Sequence, residues 1–429
     1  MAGGPVAVIG GGISGLAAAH ALRHSHPVTL FEAQKRVGGN AHTVTAAAHA
    51  NQPNAVDIDT GVTVLHEPST PPLFDELDIA HVSPPADLTY LTIRCTRCGF
   101  DTSELENGLP RRPHVGDDTW SRLVDDYQRL GNLVASGSIA LTSYELVATE
   151  GFSEYFVEHV VVPAIAGAFV MSPAAARRCS ATAMLRALAD VGLQLGDPLR
   201  DYYTVKGGTK TYIDRLAAAI PDLRVGTAIQ AVSRGVDGVT LRDSTGATYE
   251  FDKAIIAVSA DRALAMLTSP TALQREVLAA FPYDYTSWTL HTDPSVETSN
   301  SVLHYQMADC TNAAVHINLL HNPPQRIPGP IQYVSTSTHG GPPPDPASAL
   351  ETTVHGIAII TPEAVAAQQK LPQISDSTLA FAGAYFGDTG HENALYSGLK
   401  AASLLLGGSS SGGLRDMRTG TFHPWCDQP

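Results

Sequence analysis

The chain has 429 residues, of which 44% are hydrophobic and 16% are charged. This composition is typical of a globular protein, and the length suits two domains that each bury a core. The formal net charge of −15 argues against nucleic acid as a partner and does not favour an anionic membrane surface. The odd set of five cysteines lacks disulfide-framework spacing and predicts a cytoplasmic location. No apolar segment reaches the roughly 18 residues of a transmembrane helix.

The N-terminal segment has the pattern of a dinucleotide-binding unit. A short apolar strand at residues 5–9 is followed by a G-x-G-x-x-G turn and an alanine-rich helix, with the candidate cofactor-binding residues Gly10, Gly12, Ser14 and Gly15. The three glycines suit a tight turn, close approach to a pyrophosphate and close helix packing. A second strand ends at Glu32, which is placed to accept hydrogen bonds from a ribose. A glycine-rich turn without a ligand is the alternative, but the complete pattern favours a nucleotide.

The segment after Glu32 distinguishes FAD from NAD. Residues 34–40 resemble the E-x3-R-x-G-G-R signature of the amine oxidase, protoporphyrinogen oxidase and phytoene desaturase superfamily. The resemblance implies that the following residues surround the FAD pyrophosphate, ribityl chain or ring: Arg36, Gly38, Gly39, Asn40 and Gly61. Asn40 stands where many members have a second Arg, so a charged phosphate contact is missing here.

Two later blocks extend the resemblance over most of the chain. In the block at residues 203–258, it implies that Ile229 meets the adenine. In the block at residues 379–402, it implies that Gly383 and the helix around Ala394 meet the ribityl chain and isoalloxazine ring. This last block contains no cysteine, so we expect noncovalent FAD. The chain most resembles bacterial predicted NAD/FAD-binding oxidoreductases, a group that looks linked to modification of fatty acyl chains.

The resemblance implies an α/β amine-oxidase-like fold, with a Rossmann-like FAD-binding domain and an inserted α+β substrate domain. The FAD motifs predict a discontinuous FAD-binding domain at residues 1–65, 203–262 and 375–429, and a substrate domain at residues 66–202 and 263–374. Residues 120–135 and 153–170 carry helical patterns, whereas residues 285–291 alternate like a strand.

Candidate catalytic residues lie in the last FAD block. His391 and Glu392 form the best acid/base pair by position, because a histidine there could titrate near neutral pH. The alternative is that His391 only bonds the backbone or the cofactor. Tyr385 completes the candidate catalytic set and, with Tyr396, would form an aromatic wall beside the ring. Core packing explains both tyrosines equally well.

Three further features bear on the reaction. Many related amine oxidases hold a Lys near the flavin on the strand that here covers residues 285–288, and no Lys is present. Its absence disfavours amine oxidation and favours a carbon–carbon reaction. A structural role is the preferred interpretation of His291 and Asp293, which follow the same strand. The apolar stripe at residues 152–171 is either an acyl channel or, more commonly, helix core.

Cys95 and Cys98 have the spacing of half a zinc knuckle. No second pair in the sequence has matching spacing, so no metal is predicted. A reversible disulfide is the alternative.

The leading functional hypothesis is an FAD-dependent oxidoreductase that removes hydride from an apolar or lipid-like small molecule, giving desaturation. Oxygen or another acceptor would reoxidise the flavin. The alternatives are a redox-neutral flavin-dependent double-bond isomerase, an amine oxidase, and a non-catalytic flavin-binding scaffold of a lipid-modifying complex. The sequence makes no prediction about oligomeric state.

Overall fold

The computed structural model describes residues 3–48, 52–66, 72–106, 109–135, 141–190, 199 and 201–407. The strands in these residues are β1 (Val6–Ile9), β2 (Val28–Phe31), β3 (Thr43–Ala46), β4 (Val56–Asp59), β5 (Leu65–His66), β6 (His81–Val82), β7 (Thr89–Cys95), β8 (Asp101–Glu106), β9 (Leu109–Arg111), β10 (Tyr202–Val205), β11 (Asp222–Arg224), β12 (Ile229–Arg234), β13 (Val239–Asp243), β14 (Thr248–Phe251), β15 (Lys253–Ile256), β16 (Tyr283–His291), β17 (Ser301–Met307), β18 (Val315–Leu320), β19 (Val334–His339), β20 (Ala349–Ala358) and β21 (Leu379–Phe381).

Helices cover both main sheets. They are α1 (Ile13–Leu22), α2 (Pro72–Glu76), α3 (Asp117–Ala135), α4 (Ser143–Ala148), α5 (Glu154–Phe156), α6 (Val162–Ala168), α7 (Pro173–Arg178), α8 (Ala181–Asp190), α9 (Lys210–Ala218), α10 (Ala260–Met266), α11 (Ala272–Ala279), α12 (Asn322–Gln325), α13 (Pro362–Gln368) and α14 (His391–Leu405). A π-helical turn, Val157–Val161, joins α5 to α6. Among the described helices, none combines the length and apolar character needed to cross a membrane.

A five-stranded parallel sheet, ordered β11-β2-β1-β15-β21, forms the first layer. Every residue of β1 and β2 is buried, as expected for central strands of a parallel sheet covered on both faces. All five strands come from the segments that the sequence assigns to the FAD-binding domain. The division into an FAD-binding domain and a substrate domain stays a proposal. It is supported by the origin of all five strands in the predicted FAD-binding segments.

An eight-stranded sheet, ordered β20-β16-β19-β18-β17-β7-β8-β9, forms the second large layer. Its strands come from the two predicted insertions, and β17 and β7 pair in parallel within an otherwise antiparallel sheet. The predicted helix at residues 120–135 is α3, which begins at Asp117. The predicted helix at residues 153–170 is α5, the π-helical turn and α6, and β16 begins two residues before the predicted strand at 285–291.

The first and last described helices pack directly against each other. Gly398 of α14 is buried, and a Cβ at this position would lie 2.0 Å from the carbonyl oxygen of Ser14 in α1. Only a residue without a side chain permits this approach of the two backbones. The contact fixes the N-termini of α1 and α14 relative to each other, and residues at both N-termini line the same cavity.

Candidate active site

A cavity of about 630 Å³ lies between the residues of the predicted FAD motifs and the eight-stranded sheet. Its volume is within the range of about 300–1,000 Å³ that is usual for small-molecule sites. The predicted cofactor-binding residues that line it are Gly10, Gly12, Ser14, Glu32, Arg36, Gly38, Gly39, Asn40, Gly61, Gly383 and Ala394. Segments up to about 380 residues apart in the sequence thus meet around one cavity.

The N-terminal glycines have distinct positions in this cavity. Gly10 has a φ of +107°, and a Cβ there would lie 2.3 Å from the carbonyl oxygen of Ala257. A Cβ at Gly15 would lie 1.9 Å from the carbonyl oxygen of Gly10, so Gly15 allows α1 to pack on β1. In contrast, nothing lies within 4 Å of a Cβ position at Gly12. The open face of Gly12 is where a phosphate group can approach the backbone and the N–H groups of α1.

Glu32 connects two neighbouring loops at the end of β2. One carboxylate oxygen accepts the N–H of Gly11 at 2.6 Å, and the other accepts the N–H of Gln34 at 2.7 Å. A carboxylate has further lone pairs, so Glu32 can hold both loops and still accept hydrogen bonds from a ribose.

Glu32→Gln is expected to raise the dissociation constant of FAD by about 10–100-fold, because hydrogen bonds to a charged group contribute roughly 1.5–3 kcal/mol. The new side-chain amide would also direct an N–H group at one of the two backbone donors. Titration of apoprotein with FAD, followed by flavin fluorescence, measures the change. Glu276→Gln, which alters an exposed partner of Lys370, is the matched control and should leave FAD affinity unchanged. Equal affinities for the two variants would remove Glu32 from the cofactor site.

Arg36 and Asn40 lie on the cavity wall after the glycine turn. The Arg36 guanidinium donates to the carbonyl oxygen of Gly39 at 3.0 Å, and burial lowers its pKa. Asn40 Oδ1 lies 3.3 Å from His355 Nδ1, and a Cβ at Gly61 would lie 1.9 Å from the Asn40 carbonyl oxygen. This segment therefore has one fixed cation and several oriented backbone groups for a phosphate-bearing ligand.

His355 is a candidate functional residue that the sequence reasoning missed. It lies on β20 opposite Thr286 of β16, is 5% exposed and lines the cavity. Within the described residues, its Nε2 atom has no hydrogen-bond partner. Burial lowers its pKa to about 4, so the imidazole is neutral at pH 7. A buried polar atom in a cavity wall without a protein partner suits contact with a ligand. No motif in the sequence indicates this residue.

Glu392 is better suited to proton transfer than its neighbour His391. Both residues begin α14 and line the cavity. Burial lowers the pKa of His391 to about 4, and its Nε2 shares a hydrogen bond of 2.9 Å with the Tyr212 hydroxyl. The lowered pKa argues against the expectation that His391 titrates near neutral pH, and its partner Tyr212 is a side chain, whereas the alternative interpretation expected the backbone or the cofactor. Burial raises the pKa of Glu392 to about 7, while Glu392 Oε1 accepts the N–H of His66 at 3.3 Å.

Three predicted site residues are not among those that line the cavity: Gly15, whose close contact with Gly10 makes it a packing residue, Tyr385 and Ile229. Tyr385 is fully buried, with its ring 5.3 Å from that of Phe281 and 4.9 Å from that of Phe386. It belongs to the core, because the turn that places Ala384 on the cavity directs Tyr385 inward, and we remove it from the catalytic candidates. Ile229, the predicted adenine contact, is 9% exposed and packs in the same core. Tyr396, in contrast, lines the cavity.

The other candidate residues from the sequence have either a structural role or a place on the cavity wall. His291 is fully buried and bonded to the Thr336 hydroxyl at 2.7 Å, and Asp293 holds a turn through Ser295, which matches the expected structural role. Of the apolar stripe, Phe152, Phe156, Val160 and Met171 are core, whereas Phe169 lines the cavity together with its neighbours Ala168 and Val170. The stripe is therefore mainly core, with its end exposed to the site.

The part of the cavity beyond the predicted FAD residues is mainly apolar. The eight-stranded sheet and its helices contribute Tyr90, Phe169, Leu188, Trp288, Leu303 and Leu319. The described residues that line the cavity include no Lys and no Cys. Arg36 and Arg262 are the lining cations, and Glu32, Asp388 and Glu392 are the lining acids.

Cys95 and Cys98 lie outside this cavity, close to Cys310 and His159. The sequence predicts no metal here because it has no second cysteine pair. The fold, however, supplies Cys310 and His159 as two further candidate ligands.

The fold and the cavity together define a class of protein whose glycine turn and helix N-termini suit a dinucleotide cofactor. The residues fit FAD on the observations above: an open approach at Gly12, two helix N-termini on one cavity, and the unpartnered Nε2 of His355. A family model for flavin containing amine oxidoreductase matches residues 13–289. The chain belongs to this family, and the flavin of the family confirms the predicted FAD cofactor. The lack of cysteine on the described cavity wall agrees with noncovalent binding.

Individual relatives agree with this assignment. Coproporphyrinogen III oxidase of Mycobacterium leprae is 29% identical over 285 residues, which cover 61% of this chain and 60% of that protein. The chain therefore spans three fifths of the length of this curated relative. A putrescine oxidase structure with bound putrescine has a TM-score of 0.65 at 15% identity, covering 94% of this chain and 99% of the other. A CLA-producing fatty acid isomerase from P. acnes has a TM-score of 0.63 at 14% identity, covering 92% and 96%. These similarities confirm the predicted α/β fold.

Proposed function

We propose that this flavoenzyme removes a hydride from an apolar or lipid-like small molecule and leaves a carbon–carbon double bond. The observation that carries the proposal is the apolar wall of the cavity beyond the FAD residues, formed by side chains such as Trp288, Leu303 and Leu319. Such a wall binds hydrocarbon by removing its surface from water, at about 25 cal/mol per Å². An apolar substrate needs no ionic partner there.

The charged groups of the cavity suit proton transfer better than they suit recognition of a charged substrate. Asp388 is already bonded to the Gly390 N–H at 3.0 Å and to Asn393. Glu32 bonds two backbone N–H groups. Glu392 accepts one longer hydrogen bond, from the His66 N–H at 3.3 Å, and burial raises its pKa to about 7. With no Lys on the described cavity wall, amine oxidation is the weaker proposal, although a putrescine oxidase shares the fold.

In this proposal each group has one task. Bound FAD supplies the acceptor for the hydride. The Glu392 carboxylate takes the proton from the adjacent carbon, so that the two C–H bonds yield one double bond. The apolar wall orients the chain and excludes water, and His355 is placed to hydrogen bond a polar ligand atom. Oxygen or another acceptor then takes up the two electrons.

A redox-neutral double-bond isomerisation is the second candidate. An acid whose pKa is near 7 can take a proton from one carbon and return it to another at constant pH. The shared fold with a CLA-producing fatty acid isomerase agrees with this candidate. A cytoplasmic location stays a prediction from the number and spacing of the cysteines in the sequence.

The test is an anaerobic visible spectrum of the purified flavoprotein before and after addition of fatty acyl, polyene, porphyrinogen and amine compounds. We expect a fatty acyl or polyene compound to bleach the oxidised flavin spectrum. Product formation without bleaching would favour isomerisation, and bleaching only by an amine or a porphyrinogen would overturn the proposed substrate class. A flavin that no compound reduces, with a copurifying partner, would favour the scaffold alternative.

A further inference from the structure

Four side chains with metal-binding atoms meet at one end of the eight-stranded sheet, outside the active-site cavity. Cys95 is the last residue of β7, and Cys98 follows in the next turn. Cys310 lies three residues after β17, which pairs in parallel with β7 and places Met307 beside Cys95. His159 comes from the π-helical turn that packs on this end of the sheet. The three thiols and the imidazole Nε2 all lie within 4.8 Å of one another.

Two of the separations match the edges of a tetrahedron around a single ion. With Zn–S bonds of about 2.3 Å and a Zn–N bond of about 2.0 Å, a tetrahedron has S···S edges of about 3.8 Å and S···N edges of about 3.5 Å. The Cys95 and Cys310 sulfurs are 3.8 Å apart, and Cys98 Sγ lies 3.4 Å from His159 Nε2. We propose that Cys95, Cys98, Cys310 and His159 form a structural zinc site.

The surroundings of His159 hold it in the form that binds metal. Its Nδ1 lies 2.8 Å from the carbonyl oxygen of Tyr155 and donates a proton to it, which leaves the Nε2 lone pair directed at Cys98. The second ring nitrogen of a metal-bound histidine usually makes this type of hydrogen bond. The ring also stacks on Tyr155, with 3.9 Å between centroids, and meets the edge of Phe100. The imidazole therefore has a fixed orientation, and its π-helical position is typical of functional sites.

The cysteine turn has a matching local structure. Gly99 directly follows Cys98, has a φ of +74°, and donates its N–H to the Cys95 carbonyl oxygen at 3.0 Å. This bend directs both sulfurs to the same side. The Tyr155 hydroxyl lies 3.2 Å from Cys98 Sγ and can donate to it, which offsets part of the negative charge of three thiolates around a divalent ion.

Zinc is the metal that this ligand set favours. Thiolate sulfur with imidazole nitrogen in a tetrahedron suits zinc, and four protein ligands leave no open position for catalysis. An iron–sulfur cluster would need its ligands spread around more than one iron, whereas these four atoms all lie within 4.8 Å of one another.

The site joins three segments that are distant from one another in the sequence. One of these segments also reaches the wall of the active-site cavity. Cys95 and Cys310 are 215 residues apart, and Cys98 and His159 are 61 residues apart. His159 and the cavity residue Ala168 lie on one continuous helical stretch, Glu154–Ala168. The metal would therefore fix one end of this stretch while the other end lines the substrate site.

The experiment is metal analysis of the FAD-loaded protein purified without chelator or histidine tag. We expect one zinc per chain. After removal of zinc under reducing conditions, added Co²⁺ should give intense bands typical of tetrahedral thiolate coordination, at wavelengths longer than the flavin absorption. The Cys310→Ser and His159→Gln variants should lose most of the metal, because removal of one ligand weakens binding strongly. Cys179→Ser is the matched control, since Cys179 is a buried thiol that contacts Met171 outside the cluster.

Cobalt binding by the wild-type chain keeps the test decisive if a variant does not fold. Wild-type protein that binds neither zinc nor cobalt would overturn the proposal. A disulfide between Cys95 and Cys98 or Cys310 in protein isolated without oxidant, or iron with acid-labile sulfide, would also overturn it. Full zinc occupancy in both ligand variants would place the metal elsewhere.

Discussion

Gly398→Ala is expected to destabilise the apoprotein by roughly 1–3 kcal/mol and to abolish stoichiometric FAD binding. The added Cβ would lie 2.0 Å from the Ser14 carbonyl oxygen, so α1 and α14 must move apart. Both helix N-termini line the cavity, and their separation therefore misplaces the N–H groups that would hold the cofactor. Denaturant unfolding of the apoprotein and the flavin-to-protein absorbance ratio measure the two effects.

Gly131→Ala makes the same substitution at another site, where it is expected to raise the free energy of unfolding. Gly131 is exposed within α3, and nothing lies within 4 Å of its Cβ position. Alanine in a helix interior is about 1 kcal/mol more favourable than glycine, so this variant should be slightly stabilised and should retain FAD. The close-packing account of Gly398 would be wrong if Gly398→Ala bound FAD as the wild-type chain does.

Glu392→Gln is expected to lower kcat by about 10²–10⁴-fold with the substrate identified by flavin bleaching, because it removes a positioned general base. The wild-type rate should rise as pH passes through about 7, where the Glu392 carboxyl loses its proton. The variant should lack this rise and still bind FAD. Rate measurements from about pH 5.5 to 8.5, with flavin content recorded for each sample, test both statements.

A stability measurement gives an independent check on the same carboxyl group. Its folded-state pKa of about 7 lies above the ordinary value of 4.5, so the folded state binds the proton more tightly than the unfolded state. Wild-type apoprotein should therefore lose stability as pH rises from 4.5 through 7, and Glu392→Gln should lose less. Glu351→Gln, which changes a half-exposed carboxylate beside His42, is the matched control. A Glu392→Gln enzyme with near-wild-type kcat and bound FAD would contradict the assignment.

The positions of the proposed cofactor residues near the N-terminus were predictable because their constraints are local. The positive φ of Gly10, the close contact of Gly15 with Gly10 and the position of Glu32 at the end of β2 belong to one strand–turn–helix–strand unit. Such a unit fixes residue types at fixed spacing, and sequence periodicity alone places it. The same locality explains why α3 and β16 were predicted to within three residues.

The errors arose where burial or distant contacts decide a residue's role. His391 and Glu392 are neighbours, yet burial shifts both toward the neutral form, and only for Glu392 does this bring the pKa near 7. Tyr385 lies one residue from the cavity-lining Ala384 but faces the core. Desolvation and side-chain direction depend on the packed surroundings, which a motif does not encode.

The sequence by itself determined the fold class and the flavin cofactor through its resemblance to the amine oxidase superfamily. Its glycine turns and short-range spacing determined most residues of the proposed cofactor end of the cavity. Only the tertiary structure brought His355 of β20 to Asn40, and Cys310 and His159 to the cysteine turn. These groups come from strands and helical turns far apart in the chain. Their proximity follows from strand order and helix packing, and no local pattern in the sequence predicts it.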